Sequence, residues 1–492
     1  MILQCRDLLH LVSVLSANVQ CLRYCCSRVS SHWSRYEPPI TQEQYEHCVD
    51  ELLGTPVDVL CFCLGDGRTM LHDTQVGELW GANVEDGSHP AIGDGGWDHA
   101  IFRRAHQNAA HLISQNLDPL RVVVNCAHTH GMQLYPCLLV QTPPDAGVRC
   151  STWHQLHADE YAIGSQPGQL PPEYPEQGRR CFDFSIDAVR EERLALIREV
   201  IQNYEIDGFE LQMNYVPYYF HPARMAEGVT IMTKWISEIR ELLRSARGPD
   251  AELIVRVPGL PHCEAQGLDV REWCVEGLVD VLIAENADGN RCDPNYDWRP
   301  MVSVASGTNT RVIASVYSYL NSDRLDQAPL PMIRAAACNA WAQAVDGIYV
   351  NQWYHMWPFD GSFYEKLREI AFPHLMAPKD KSVRQIEFIA CTCTMLFTDL
   401  WCKYLSNWVE LLRCTALRWP LVVLRADGNG RSAGEEGVRP GGFARASLRT
   451  ATGGAETGDH GRSRTILRPR PSAFSSSAVS SERRDRVGSL GV

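Results

Sequence analysis

The stretch Asp207–Pro222, DGFELQMNYVPYYFHP, decides the fold. It reads as a buried strand in which side chains alternate between two faces, one polar and one apolar. The polar face carries Glu210, Gln212 and Asn214, and the apolar face carries Phe209, Leu211 and Met213. Strands of an open parallel sheet covered by helices are apolar on both faces. This strand instead fits the wall of a closed barrel, whose lumen accepts polar side chains.

Strand-like and helix-like runs alternate through the middle of the chain, which indicates parallel strands with right-handed crossovers. About seven strands are recognisable by their apolar runs, at residues 57–64, 132–140, 208–214, 251–259, 279–286, 310–318 and 347–354. We therefore predict an α/β fold, a (β/α)8 TIM barrel in which no regular first strand is recognisable before residue 36. No GxGxxG motif follows residues 57–64, which argues against a nucleotide-binding open sheet.

The composition excludes two classes of partner. The 492 residues are 45% hydrophobic and 21% charged, as in globular proteins with a sizeable core, and the formal net charge is −13. Nucleic acids and anionic membranes both require a basic surface, so we expect neither as a partner. No run reaches the ~18 apolar residues of a membrane span. The 19 cysteines form no zinc-type framework and favour a cytoplasmic protein with buried thiols, with secretion as the minority interpretation.

Three zones follow from composition: an atypical segment at 1–36, the predicted barrel at 37–381 and an atypical tail at 382–492. The tail contains no lysine beyond Lys403, while arginine is frequent among glycine, alanine and serine. Such a stretch buries too little apolar surface to fold, so disorder is expected from about residue 425. The arginine-only bias also resembles out-of-frame translation of GC-rich DNA, and we expect both terminal segments to be artefacts of this kind.

Polar and aromatic side chains are concentrated where the predicted strands end, which in a TIM barrel is the catalytic face. Two carboxyl groups and aromatic rings at this face are what sugar hydrolysis requires, because the carboxyl groups act across the glycosidic bond and the rings stack on the pyranose. The candidate catalytic residues are Glu210 and Glu285. The candidate substrate-binding residues are Asp66, His72, Asp73, Gln212, Asn214, Tyr218, Tyr219, His221, Arg256, Tyr317, Gln352, Trp353, Tyr354 and Trp357.

Each of these assignments has a structural alternative. Arg256 on the neighbouring strand would keep Glu210 ionised, which suits a nucleophile or a binding group, yet buried Glu–Arg pairs in barrels are also structural. Glu285 is either the second carboxylate or a loop-holding acceptor. His72 and Asp73 either contact substrate or hold a long loop together. His128 and His130 resemble a metal motif, but i,i+2 spacing at a helix end places the imidazoles on different faces.

Three motifs carry a resemblance to a known family: GDGRTMLHDTQVGELWG at 65–81, DGFELQMN at 207–214 and PHLMAPKDK at 373–381. Over about 38–381, the chain resembles uncharacterised bacterial barrel proteins classed with the glycosyl-hydrolase-like family 10. The resemblance implies a (β/α)8 fold and a carbohydrate-active function. Members of the wider family carry an acidic residue on this strand, at the position that Gln212 occupies here. Either Glu210 has taken that role or this branch binds sugar without cleaving it.

We therefore predict a glycosidase-like hydrolase that acts on a carbohydrate through Glu210 and Glu285 and requires no cofactor. The first alternative is a barrel that binds carbohydrate without catalysis. The second is a metal-dependent barrel hydrolase or isomerase that uses His72, Asp73 and His221. The sugar, the linkage and the oligomeric state do not follow from the sequence.

Overall fold

The structure of the protein is a computed structural model. It describes residues 22–27, 36–65, 69–82, 96–141, 151–285, 291–320, 327–351 and 361–381. The predicted atypical tail at 382–492 lies outside the described residues. None of the helices in the described part of the chain is long and apolar enough to cross a membrane.

Eight parallel strands of the described chain close into a barrel, which confirms the predicted (β/α)8 fold. All seven strands expected from the sequence are present. In barrel order the strands are β1 Leu22–Ser27, β2 Val59–Cys63, β5 Gln133–Leu139, β6 Gly208–Gln212, β7 Glu252–Val257, β8 Val281–Ala284, β9 Arg311–Tyr317 and β10 Gly347–Asn351. A two-stranded ribbon, β3 Thr69–Met70 and β4 Glu78–Leu79, lies between β2 and β5 in the sequence.

No regular strand is recognisable in the sequence before residue 36, but the structure has the first strand of the barrel there, at Leu22–Ser27. Strand β1 pairs with β10 on one side and with β2 on the other, with Tyr24 in register with both Tyr349 and Val59. Its sequence, LRYCCS, has no β-branched residue and no clear apolar alternation, so local pattern does not reveal it. Without β1, one edge of β2 and one edge of β10 would stay unpaired, and pairing with these two edges makes the segment a strand.

Helices connect the strands and cover the outside of the barrel. Helix α1 begins with a capping box, in which Thr41 and Gln44 each accept the other's backbone N–H. The bounds are α1 Gln42–Asp50, α2 Gly96–Ser114, α3 Pro119–Thr129, α4 Thr152–Tyr161, α5 Glu176–Arg180, α6 Asp187–Asn203, α7 Met225–Arg247, α8 Leu260–Ala265, α9 Val270–Val275, α10 Arg299–Ala305, α11 Leu330–Ala342, α12 Gly361–Ile370 and α13 Pro373–Met376.

The two faces of the strands pack into different cores. On β6, the apolar parity of Phe209 and Leu211 joins the large core between strands and helices. Helix α7 contributes a stripe at helical spacing to that core, including Met232, Trp235 and Ile239. A smaller, separate apolar cluster fills the lower lumen, formed by Val59, Cys61, Tyr135, Ile254, Val281, Ile283, Ile313 and Tyr349. The polar residues of β6 therefore face a lumen that apolar side chains seal from below.

An aspartate lies immediately before each of β6, β8 and β10 and ties the N-terminal end of that strand to its neighbour. The Oδ2 atoms of Asp207, Asp280 and Asp346 accept the backbone N–H of Leu134, Leu253 and Val312, at 2.8, 2.8 and 2.7 Å. Each acceptor strand is the preceding strand of the barrel. These bonds satisfy backbone donors at the strand starts and hold the register of neighbouring strands.

We expect Asp280→Ala to lower the free energy of unfolding by about 3 kcal/mol, because it leaves the buried Arg240 guanidinium without its carboxylate. Arg240 Nη2 donates to Asp280 Oδ1 at 2.6 Å, and the arginine side chain is only 4% exposed. Urea unfolding followed by circular dichroism measures the change. The matched control is Asp297→Ala, which removes an exposed pair with Arg299 and should leave the midpoint unchanged.

The position of β1 predicts where a truncated protein remains folded. A protein that begins at Tyr36 lacks β1 and exposes the edges of β2 and β10, so we expect it to aggregate. A protein that begins before Leu22 and ends at Lys381 retains the closed barrel and should elute as a discrete species. Size-exclusion chromatography of the two truncations makes the comparison. Equal solubility and equal unfolding midpoints would show that β1 is dispensable.

Candidate active site

Side chains on or directly after five neighbouring strands, β6 to β10, meet in the upper lumen, towards the C-terminal ends of the strands. Strand β6 supplies Glu210, and its register partner strand β7 supplies Arg256. Glu285 directly follows β8, while β9 and β10 supply Tyr317 and Asn351. Because successive inward residues lie two apart, each of these strands presents its polar group above the apolar cluster that fills the lower lumen.

The lower part of the site is a buried ion pair between Glu210 and Arg256. Arg256 Nη2 lies 2.7 Å from Glu210 Oε1, and the two side chains are 1% and 0% exposed. The Tyr349 hydroxyl donates to Glu210 within 3.1–3.2 Å of both carboxylate oxygens. The guanidinium also lies over the Tyr349 ring, 4.8 Å from its centroid. These contacts fix the orientation of both charged groups.

The upper part of the site is Glu285, which accepts four side-chain hydrogen bonds. Tyr317 donates its hydroxyl to Oε2 at 2.6 Å, and Asn351 donates its amide to Oε1 at 2.5 Å. Asn214 also donates to Oε2, and Ser315 donates to Oε1 at 3.4 Å. This carboxyl group is 3% exposed and is held by residues of β9, β10 and the segment after β6.

One guanidinium links the two carboxyl groups, because Arg256 Nη1 lies 3.6 Å from Glu285 Oε1 while Nη2 binds Glu210. Within this buried group, two carboxylates would outnumber the single cation. Burial raises the pKa of the Glu285 carboxyl, and the Glu210 charge acts in the same direction, although Arg256 and Tyr317 oppose it. The fold therefore favours the protonated form of Glu285, while the closer contact of Arg256 is the one between Nη2 and Glu210.

Gln212 lies one lumen position above Glu210 and is 7% exposed. Its amide oxygen faces the Cys137 thiol, with Sγ 3.9 Å from Oε1, and the same thiol accepts a hydrogen bond from Arg256 Nη2 at 3.4 Å. An amide at this position adds no third negative charge beside Glu210. An acidic residue here would place a third carboxylate beside the single guanidinium of Arg256, and the neutral amide avoids this.

His72 and Asp73 lie outside the barrel, against helix α6. His72 is buried beside Glu199, with 3.5 Å between Nε2 and Oε2, and Glu199 also accepts from Thr74 and from the backbone of Gln75. The backbone N–H of Asp73 donates to Asp118, which caps helix α3. These contacts favour the alternative that His72 and Asp73 hold a long loop together.

The aromatic segment after β6 is divided between core and surface. Tyr219 is fully buried, donates its hydroxyl to the Met213 carbonyl at 2.9 Å and packs on Phe184, so no face of its ring is open to a sugar. His221 is also fully buried, and its Nδ1 accepts the Ala223 N–H at 3.2 Å. Tyr218 is half-buried, and its ring packs edge-on against Tyr174.

Five predicted site residues lie outside the described residues, and their roles remain predictions: Asp66, Gln352, Trp353, Tyr354 and Trp357. Three residues that contact the carboxyl groups were not predicted: Ser315, Tyr349 and Asn351. The signal that would have found them is parity. Ser315 and Tyr317 are two residues apart and so share the inner face of β9, as Tyr349 and Asn351 do on β10 and Glu210 and Gln212 do on β6.

Glycoside hydrolases are among the solved structures that resemble this chain. They include α-L-fucosidase isoenzyme 2 from Paenibacillus thiaminolyticus (TM-score 0.44, 9% identity), where the match covers 71% of this chain and 48% of the fucosidase, about half its length. The PgaB (BpsB) glycoside hydrolase domain from Bordetella bronchiseptica matches with a TM-score of 0.46 and 10% identity, over 71% of this chain and 98% of that domain. The maltogenic α-amylase AmyB from Thermotoga neapolitana matches with a TM-score of 0.40 and 11% identity, over 73% of this chain and 77% of the amylase.

No protein-family model and no curated protein matches the chain. At the identities and TM-scores of the solved structures, the likeness carries no argument about activity. The chemistry of this barrel therefore has to be inferred from its own side chains.

The metal-dependent alternative finds no support in the geometry of the described residues. His72 contacts Glu199, Asp73 is bound near Asp118, and His221 lies beside Asp183. These three residues therefore have different partners on different elements. In the described part of the chain, a group of three or more side chains able to share one metal ion occurs elsewhere, at the opposite end of the barrel.

The raised pKa of Glu285 predicts a pH-dependent stability difference. The protonated form is favoured by the fold, so its contribution is full below the ordinary value of 4.5 and is lost as pH rises through the raised folded value. We expect Glu285→Gln to unfold at a higher temperature than the wild type at pH 8 and at a similar temperature near pH 4. Calorimetry at both pH values measures this. Glu276→Gln, an exposed control, should show no such trend, and a constant difference for Glu285→Gln would contradict the assignment.

Proposed function

We propose that this protein is a glycoside hydrolase that cleaves a carbohydrate at the C-terminal face of the barrel. The observation that carries the proposal is the pair of buried carboxyl groups, Glu210 and Glu285, joined by the single guanidinium of Arg256. Glycoside hydrolysis requires two carboxyl groups in different protonation states, one to protonate the leaving oxygen and one to stabilise the positive charge that develops on the sugar.

The two environments separate these roles. Glu285 is the general acid, because burial and the neighbouring Glu210 charge favour its protonated form. It gives its proton to the glycosidic oxygen and then accepts one from the attacking water. Glu210, paired with Arg256 at 2.7 Å, supplies the carboxylate. Asn214, Tyr317 and Asn351 hold the acid in place, since each donates to its carboxyl oxygens.

The substrate class follows from the aromatic residues predicted around the mouth. Tyr218 is accessible in part, and Trp353, Tyr354 and Trp357 follow β10 in the sequence, as a platform for the apolar face of a pyranose requires. We also propose that the chain belongs with the glycosyl-hydrolase-like family 10, on the three motifs at 65–81, 207–214 and 373–381.

The test compares natural glycans with aryl glycosides whose leaving group needs no protonation. Glu285→Gln should lower kcat on unactivated glycosides by about 10²–10⁴-fold and should be much less harmful with a dinitrophenyl leaving group. Glu210→Gln should lower kcat on both kinds of substrate, because the charge on the sugar develops in either case. A library of aryl glycosides and a glycan array identify the sugar first.

The matched control is Glu252→Gln, which alters a similar Glu–Arg–Tyr group at the other end of the barrel. Glu252 pairs with Arg311 and accepts from Tyr135 at 2.9 Å, far from the strand ends that form the mouth. The hydrolytic activity of the Glu252→Gln variant should equal that of the wild type. Full activity in Glu210→Gln or in Glu285→Gln would remove that residue from the mechanism.

A second candidate function is carbohydrate binding without cleavage, which the amide of Gln212 favours. In this case Glu210 only neutralises Arg256, and both of its oxygens are already occupied by Arg256 and Tyr349. The same glycan array discriminates between the candidates. Binding of a glycan without turnover of any corresponding aryl glycoside, in the folded wild-type protein, would favour the binding barrel and contradict hydrolysis.

A further inference from the structure

Two helices bring an aspartate, a cysteine and a histidine together at the N-terminal end of the barrel, opposite the candidate active site. Asp50 is the last residue of α1, and Cys126 and His130 lie in the last turn and at the C-cap of α3. The Asp50, Cys126 and His130 ligand atoms all lie within 4.8 Å of one another. Asp50 Oδ1 is 3.3 Å from His130 Nε2 and 3.9 Å from Cys126 Sγ.

Helical spacing explains why these groups converge. Cys126 and His130 are four residues apart, so they lie on one face of α3, and Glu46 and Asp50 have the same relation on α1. His128, two residues before His130, faces the other way and lies 2.9 Å from Asp207. His128 and His130 therefore have different carboxylate partners, and it is His130 that lies beside the cysteine.

The separations suit a tetrahedral zinc ion. With Zn–N and Zn–O distances near 2.0–2.1 Å and a Zn–S distance near 2.3 Å, neighbouring ligand atoms stand about 3.3–3.6 Å apart. The observed 3.3 Å between Asp50 and His130 meets this value, and the 3.9 Å to the sulfur exceeds it by a few tenths of an ångström. Asp50 and His130 are 41% and 34% exposed, so rotation of their side chains closes the difference and an ion has access.

The electrostatic field at this point favours a cation. Burial, together with Asp50 and Glu46, raises the pKa of the Cys126 thiol to about 12. The carboxylates that oppose a thiolate attract a divalent cation, whose charge in turn stabilises the thiolate. Both α1 and α3 also end here, and the C-terminal end of a helix carries a partial negative charge.

We propose that Asp50, Cys126 and His130 bind a zinc ion that ties α1 to α3, with water or Glu46 as the fourth ligand. The mixed oxygen, nitrogen and sulfur donor set is one that zinc accepts. Because the site lies at the end of the barrel remote from the catalytic face, the ion stabilises the fold and does not take part in hydrolysis.

The test uses the full chain, stripped with a chelator and titrated with Zn²⁺ or with Co²⁺ as a spectroscopic substitute. Zinc at about 100-fold excess over Kd should raise the unfolding temperature by about 5 °C. Cobalt should give a thiolate-to-metal charge-transfer band in the near ultraviolet.

Cys126→Ser should abolish the charge-transfer band, and His130→Ala should lower the affinity for zinc by at least tenfold. His128→Ala is the matched control, because it removes a neighbouring histidine that faces Asp207, and its metal binding should equal that of the wild type. A melting temperature unaffected by zinc would overturn the proposal. So would a zinc response and a cobalt band that persist unchanged in Cys126→Ser and His130→Ala.

Discussion

The guanidinium of Arg256 is the group on which the interior of this barrel depends. It is 1% exposed, contacts Glu210 and Glu285 and lies over the Tyr349 ring. A cation in that position is tolerated because the Glu210 carboxylate pairs with it at 2.7 Å, and removal of Glu210 would leave the buried guanidinium without compensation. Because one guanidinium stands beside two carboxyl groups, only one of the two negative charges is compensated. The contacts that allow Arg256 to be buried therefore also favour a proton on Glu285.

Much of the fold follows from sequence periodicity, because barrel strands impose strict alternation on residues that must face either helices or lumen. That constraint revealed the seven strands and the polar face of β6. It could not reveal β1, because the sequence LRYCCS shows no clear alternation and becomes a strand by pairing with the edges of β2 and β10. Strand pairing over hundreds of residues is a tertiary constraint that leaves little local trace.

The site was predictable to a similar degree. Parity placed Glu210, Gln212 and Arg256 on the inner face of their strands, where the structure has them. Glu285 and Tyr317 lie at strand ends as expected, and the roles of all these residues in a site stay predictions. Residue type alone was less informative. Tyr219 lies in the core although the neighbouring Tyr218 is half-buried, and His72 contacts Glu199 outside the lumen although it lies within a distinctive motif. Whether a polar or aromatic residue near a strand end serves packing or substrate depends on the neighbouring loop, which no short window of sequence contains.

The aspartates that precede β6, β8 and β10 have a consequence for how such a barrel can change. Each one joins its strand to the preceding strand at the N-terminal end, so the wall is assembled from adjacent strand pairs that carry their own fastening. These three hydrogen bonds lie at the N-terminal ends of the strands, away from the segments that follow the C-terminal ends. They are therefore open to insertion, deletion and exchange while the wall keeps its register. A strand pair with its aspartate is the natural unit in which this protein could be recombined or lengthened.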